Sequence, residues 1–357
     1  MIGIGLILIL LAVVKKYEPL LLLPIGFGCI LANIPLSQAI EEGGFLNVLY
    51  AAGIANELFP VLLFIGIGAM IDFTPLLTQP VTLFFGAAAQ LGIFAAMLMA
   101  VGVNFLFPEA LFTLKEAAAI GIIGAADGPT SIFMGNLFAP KYFSSIAVAA
   151  YSYMALVPLI QPPVVKLLTS KKERQIRMAP AKDMVVPRSV RIAFPIVVAI
   201  VAGFIAPMST GLIGALMFGN LLKECAVTDK LSQSAQNELA NLVTLLLGIT
   251  IGSTMNGPEF LTVQTLLILG IGLMAFVFDT AGGVLFAKLV NLFLKKKINP
   301  MIGACGISAF PMSARVIQRM AQKEDPSNFI LMPAIGANVA GQIGSIIAGA
   351  FLLALLA

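Results

Sequence analysis

The sequence predicts an all-α polytopic membrane protein. It would be built from two inverted-topology repeats of about five spans each, with one interrupted, re-entrant hairpin per repeat. Three observations carry that prediction: the composition, the succession of apolar segments, and a motif that occurs twice. Of the 357 residues, 59% are hydrophobic and 11% charged, against about 25% charged in an ordinary soluble domain. Mean hydropathy is +1.02, and the length accommodates about ten spans of ~20 residues. With five tyrosines and no tryptophan, the chain lacks the aromatic girdles of a β-barrel. Histidine is absent, which excludes imidazole acid–base chemistry and histidine metal sites. Cys29, Cys225 and Cys305 are isolated, so neither a disulfide framework nor a zinc cluster is implied. The net charge of +4 sits in loop clusters and points to membrane topology rather than nucleic acid.

Taken in order, the apolar segments fall at about 2–14, 19–34, 46–70, 81–107, 141–168, 191–207, 209–223, 238–256, 260–293 and 328–355. The first is a short span with lysines after it, not a cleavable leader. Two further segments, about 110–140 and 299–320, are rich in Gly, Pro, Ser and Ala and read as interrupted. Three basic clusters set the topology: Lys15-Lys16, the loop from Lys166 through Lys182 to Arg191, and Lys295-Lys296-Lys297. Span parity puts all three on the cytoplasmic side, with the N-terminus outside. The expected organisation is a first repeat over 1–168, a basic cytoplasmic linker over 169–190, and a second repeat over 191–357. The membrane would be the inner (plasma) membrane of a prokaryote.

The repeat shows most clearly in the interrupted segments. Ile120-Gly-Ile-Ile-Gly-Ala-Ala-Asp-Gly-Pro-Thr-Ser131 aligns with Ile302-Gly-Ala-Cys-Gly-Ile-Ser-Ala-Phe-Pro-Met-Ser313. Leu62–Leu77 aligns with Leu246–Leu261, and Pro24–Gly28 echoes Ala215–Gly219. By the same parity the first hairpin enters from outside and the second from inside, so the halves are inverted. Broken helices meeting near the midplane are the architecture of secondary transporters.

Asp127 is the one charged residue between Ala117 and Pro140. Gly128 and Pro129 follow it, so no continuous helix runs through it. A carboxylate at membrane depth is costly and marks function; the bland alternative is a turn Asp in an extramembrane loop. Thr130 and Ser131 lie beside it, and Ser308 and Ser313 occupy the second hairpin. The last span has no charge from Ser327 onward but carries Asn338, Gln342 and Ser345 on one helical face. One carboxylate with hydroxyl and amide oxygens suits Na⁺, for which Asp127, Thr130, Asn338 and Ser308 are the candidate ligands. Ordinary small-and-polar helix packing is the alternative for the 338–345 face. Asp279 reads equally as a second ion site or a packing group, and Gln90 as a buried amide without an evident partner. Arg315 and Arg319 lie one turn apart at a helix end and read equally as an anion-attracting pair or as a solvated helix end.

Several stretches resemble the β subunit of sodium-pumping, biotin-dependent decarboxylases. They are Gly124–Thr130, Glu57–Phe73, Asn299–Arg315 and Asn338-Val-Ala-Gly, within a likeness that covers nearly the whole chain. That family comprises the oxaloacetate, glutaconyl-CoA and methylmalonyl-CoA decarboxylases and malonate relatives. The resemblance implies a translocase that decarboxylates carboxybiotin, consumes a proton and exports Na⁺. Carboxybiotin would be carried by a partner and not attached here, since no Met-Lys-Met segment is present. The resemblance also implies a carboxyltransferase α subunit, a biotin carrier protein or domain, a small γ or δ membrane subunit and a homo-oligomer, with no nucleic acid. Carried over by position, Asp127 matches the essential aspartate. Tyr153 (or Tyr151), Asn338 and Ser345 match other important polar residues, with Tyr153 or Asp127 as proton source. Asn338, Ser345 and Arg315 would then face carboxybiotin. Two alternatives remain from the residues alone: a Na⁺-coupled symporter of a small organic anion, and a structural membrane subunit.

Overall fold

The computed structural model describes residues 1–107, 111–178 and 186–356. Lys182, most of the loop around it and the first residue of the first interrupted segment therefore lie outside the described residues. Among the described residues every regular element is helical. The helices are α1 Ile2–Val14, α2 Pro19–Ala32, α3 Phe45–Ile54, α4 Leu58–Met70, α5 Pro80–Leu106, α6 Leu114–Gly121 and α7 Gly128–Phe138. There follow α8 Phe143–Leu168, α9 Arg188–Ile205, α10 Thr210–Glu224, α11 Ala240–Ser253, α12 Val263–Phe293, α13 Met312–Glu324 and α14 Leu331–Leu356. Each apolar segment of the sequence carries a helix. Four helices (α5, α9, α12 and α14) are long and apolar enough to cross a membrane unaided, and two bent pairs bring the number to six.

The sequence analysis treats 46–70, 81–107 and 141–168 as single spans, and each is broken. The first turns by 61° between α3 and α4, where Glu57 takes φ 65°. The third turns by 66° between Met154 and Leu156. Pro158 lacks the N–H that would bond the Met154 carbonyl, which frees the backbone to bend there. Within α5 the helix restarts at Leu91 after Gln90. Gln90, read from the sequence as partnerless, donates to the Gly86 carbonyl at 2.8 Å and more weakly to Gly306 at 3.4 Å.

The short helices α2, α4, α10 and α11 have 13–15 residues, about 20 Å each, less than the ~30 Å of a hydrocarbon core. They cross in two pairs through glycines. A Cβ on Gly28 of α2 would stand 3.0 Å from the Ile249 carbonyl carbon of α11, and one on Gly252 of α11 would stand 2.8 Å from the Cys29 nitrogen of α2. Likewise a Cβ on Gly68 of α4 would meet the Leu216 carbonyl carbon of α10 at 2.8 Å, and one on Gly219 would meet the Ala69 nitrogen at 2.8 Å. Without a hydrophobic effect between helices in lipid, close backbone approach at small residues supplies the packing energy. These crossings frame the two hairpins, whose breaks join directly: the Ser308 N–H donates to the Ala125 carbonyl at 2.9 Å.

At the end that carries Lys295–Lys297, the strand of chain after α8 is tied down. Asn299 and Asn328 both donate to the Arg174 and Ile176 carbonyls. Arg174 pairs with Glu324 at 2.8 Å and Arg177 with Asp325 at 2.7 Å. The hydrogen bond from Arg177 holds the Asp325 carboxyl below its ordinary range.

Gly68→Ala and Gly252→Ala each place a methyl against backbone, so each is expected to lower stability by about 1–3 kcal/mol. Gly270→Ala, at a helical position with open space around it, is expected to be neutral or to raise stability by up to about 1 kcal/mol. Thermal unfolding of the detergent-solubilised chain measures both.

Candidate functional site

The site is built where a helix cannot continue. Thr113 opens α6 with a capping box to Glu116. The helix then tightens to a 3₁₀ turn over Ile122–Ala125, and Ala126 adopts the left-handed region at φ 52°. That reversal stops the helix and leaves Asp127 extended as the N-cap of α7, with Pro129 in its first turn. The first-turn N–H groups of Gly128 and Thr130 (Pro129 has none) and the positive end of the α7 dipole therefore lie beside the carboxylate. Thr130 N–H reaches Oδ1 at 3.3 Å, and the Ser131 hydroxyl donates to the Asp127 carbonyl at 2.8 Å.

Asp127 is 2% exposed, and its Oδ2 accepts three hydrogen bonds. They come from the Thr130 hydroxyl at 2.8 Å, the Ser345 hydroxyl at 2.6 Å and the Gln342 amide at 3.2 Å. Ser345 in turn lies 2.6 Å from the Ser308 hydroxyl, which also reaches the Gly341 carbonyl at 2.9 Å. Hydroxyls of both hairpins and of α14 thus form one chain ending on Asp127. One turn earlier on α14, Asn338 donates to the Ile307 carbonyl at 2.6 Å. Its Oδ1 is fully buried without a hydrogen-bond partner among the described residues.

The structure therefore brings together five of the sequence-derived residues: Asp127, Thr130, Ser308 and Ser345 in direct contact, and Asn338 beside them. It also puts Gln342, which the sequence grouped with 338 and 345 on one helical face but not among the candidate ligands, on the carboxylate itself. It does not bring Tyr153 to Asp127. That ring lies against Gly272 and Ile123, and its hydroxyl donates to the Leu269 carbonyl. The Tyr151 ring instead covers Gly128, where a Cβ would stand 2.8 Å from its oxygen, and that buried hydroxyl has no partner among the described residues. Two residues apart on a helix, the two side chains diverge by about 200°, so only one of them faces the turn. Arg315 stands exposed on α13, in no ion pair among the described residues. No hydrogen bond ties it to the carboxylate.

Chemically, the cluster offers one carboxylate, three hydroxyls and two amides, with no group of three or more His, Cys, Asp or Glu among the described residues. That excludes the soft and borderline ligand sets and fits a hard monovalent cation. The hydroxyls can turn their lone pairs to a cation or their protons to Asp127.

The family model for the Na⁺-transporting oxaloacetate decarboxylase beta subunit matches residues 1–356. The chain is 52% identical over 356 residues to methylmalonyl-CoA decarboxylase subunit beta of Veillonella parvula, covering 100% of this chain and 92% of that one. It is 51% identical over 353 residues to glutaconyl-CoA decarboxylase subunit beta of Acidaminococcus fermentans, covering 99% and 92%. Against the oxaloacetate decarboxylase beta chain of Klebsiella pneumoniae it is 44% identical over 408 residues, covering 99% and 94%.

Ser345→Ala removes the hydroxyl that joins Asp127 to Ser308. The Na⁺ concentration that half-maximally raises the unfolding temperature should increase by about tenfold, the equivalent of about 1.4 kcal/mol. An unchanged Na⁺ dependence would show that Ser345 only packs.

Proposed function

The chain belongs to the family of Na⁺-transporting decarboxylase beta subunits, and from that premise we propose that it is the membrane subunit that couples decarboxylation of carboxybiotin to Na⁺ export. The observation that carries the reading is Asp127, a buried carboxylate held on a broken hairpin by the Thr130 and Ser345 hydroxyls, with the Ser308 hydroxyl of the second hairpin bonded to Ser345 behind them. Carboxybiotin, delivered by a biotin carrier protein or domain, supplies the carboxyl group whose loss as CO₂ leaves a ureido nitrogen that needs a proton. Partners of that kind fit relatives whose names mark them as one subunit of several. They would include a carboxyltransferase α subunit and a small γ or δ subunit, and the chain would assemble with further copies of itself.

In this reading Na⁺ is cargo. Asp127, Thr130 and Ser308 meet it with charge and hydroxyl oxygens, and the unpartnered Oδ1 of Asn338 completes the set. When Na⁺ leaves, Thr130, Ser345 and Gln342 return their donors to Asp127. Arg315, exposed on α13, and the Asn338–Ser345 face would guide the anionic substrate. By its family resemblance Tyr153 would supply the proton to the ureido nitrogen, once its hydroxyl turns from the Leu269 carbonyl, while Tyr151, lying on the Asp127 turn, shapes the cation site. The inverted arrangement of two repeats is supported by the reciprocal glycine crossings: α2 pairs with α11 and α4 with α10, an exchange of equivalent helices between halves. In the same reading, the basic stretch 166–191 and the Lys295–Lys297 end face the cytoplasm of a prokaryotic cell. A symporter of organic anions would need a cationic anchor near Asp127, and no Lys or Arg lies between Ala117 and Pro140 or from Ser327 onward.

Asp127→Asn should abolish both Na⁺-stimulated CO₂ release from a carboxylated carrier and Na⁺ uptake into inverted vesicles; survival of either would overturn the exchange at Asp127. Tyr153→Phe is expected to lower the maximal decarboxylation rate by about 10²-fold or more at unchanged Na⁺ requirement, the usual size of a lost general acid. Tyr151→Phe should raise the Na⁺ requirement instead. Steady-state rates across a Na⁺ titration separate the two effects.

A further inference from the structure

We propose that Asp279 is a second monocation-binding carboxyl, seated at the break in α5 and facing the first hairpin. Asp279 is wholly buried on α12. Its Oδ1 accepts the Gly92 N–H at 2.6 Å. That N–H lies in the first turn of the helical segment that restarts at Leu91, so half of the carboxyl caps a helix from across the interface. An asparagine would do the same. The other half is not explained that way: Oδ2 is buried with no hydrogen-bond partner among the described residues, and so is the hydroxyl of its neighbour Thr280.

A bare carboxylate oxygen in an apolar interior costs several kcal/mol, so Oδ2 requires a proton or a small cation. The surrounding elements offer no side-chain cation. Pro80–Leu106 contains no charged residue, and Asp127 is the one charged residue of the first hairpin's buried part. On α12, Lys288 lies more than two turns away and pairs with Glu173. Pro300–Gly306 offers only the Cys305 thiol, and the Tyr153 hydroxyl is committed to Leu269. The neutralising charge must therefore be a mobile monocation, H⁺ or Na⁺.

The pocket is shaped for the carboxyl by two missing Cβ atoms. A Cβ on Gly92 would stand 2.5 Å from Asp279 Cγ, and one on Gly124 would stand 2.9 Å from Oδ2. Gly124 lies three residues before Asp127 on the same turn, so what occupies Oδ2 bears on the segment that aims Asp127. The inference rests on the Na⁺-translocating reading, which it extends by one ion-binding position.

The test is thermal unfolding of the full purified chain across a Na⁺ titration balanced with choline, repeated across pH, for the wild type, Asp279→Asn, Asp127→Asn and the double variant. Asp127→Asn should keep a residual Na⁺- or pH-dependent stabilisation that the double variant loses. Asp279→Asn alone should shift the corresponding half-maximal Na⁺ or H⁺ concentration by about tenfold, about 1.4 kcal/mol. A residual response to Na⁺ at fixed pH identifies Na⁺ as the occupant. A stability that falls as pH rises, indifferent to Na⁺ and flattened by Asp279→Asn, identifies the proton. Wild-type Na⁺ and pH responses in Asp279→Asn would reduce the residue to a helix cap and overturn the proposal. Should Asp279→Asn not fold, Asp279→Glu is titrated instead, and unchanged responses overturn the proposal equally. Decarboxylation that persists in Asp127→Asn sinks the coupling mechanism, but leaves the outcome at Asp279 readable from stability alone.

Discussion

A single carboxylate held away from water constrains the rest of this structure. Asp127 needs donors, and an unbroken helix has none to give because its N–H groups are spent internally. The chain meets that need by stopping: the 3₁₀ turn at Ile122–Ala125 and the left-handed Ala126 open a fresh helix N-terminus at Gly128. Backbone broken at this depth must itself be buried in protein. The second hairpin and α14 provide the cover. The Ser308 N–H closes on Ala125, while Gln342 and Ser345 close on the carboxylate. Each device follows from the one before it.

The glycine crossings serve the same end. Helices of 13–15 residues are too short to carry a span by hydrophobicity alone, yet they hold position because α2 with α11, and α4 with α10, interlock at backbone contact. Side chains at those four positions would spread the pairs and shift the frame around the hairpins. The bends at Glu57 and between Met154 and Leu156, and the interruption at Gln90, likewise spread irregularity over several spans, leaving free backbone groups for Asp279 and Gln90 to satisfy.

Much of this was legible in the sequence, and for identifiable reasons. Charge is so scarce that Asp127 stands out unaided, and helical spacing alone groups Asn338, Gln342 and Ser345. Pairings over long separations were not legible. Asp279 meets Gly92 across 187 residues and Gln90 meets Gly306 across 216, and no local pattern announces either. Tyr151 and Tyr153 are indistinguishable until a helix is given a rotation. Pro158 carried a readable signal for the bend in α8, but hydropathy, which averages over a window, conceals such breaks.

The two buried carboxyls differ in what surrounds them, and the difference bears on how ions move. Around Asp127 most donors are hydroxyls and an amide: Thr130, Ser345 and Gln342, with Ser308 behind. A hydroxyl rotates at little cost, presenting its proton to a carboxylate or its lone pair to a cation. Asp127 can therefore lose a cation without being left as a bare charge, because the groups that held the ion turn to hold the carboxylate. A site lacking that freedom would bind Na⁺ tightly and keep it. Asp279 is held by the N–H group of Gly92, which is fixed in the backbone and cannot turn. Its unsatisfied oxygen has no such substitute, so whatever neutralises it leaves only if another charge arrives or the helices move. The adaptable carboxyl lies on the broken hairpin, and the rigid one sits in the helices that flank it.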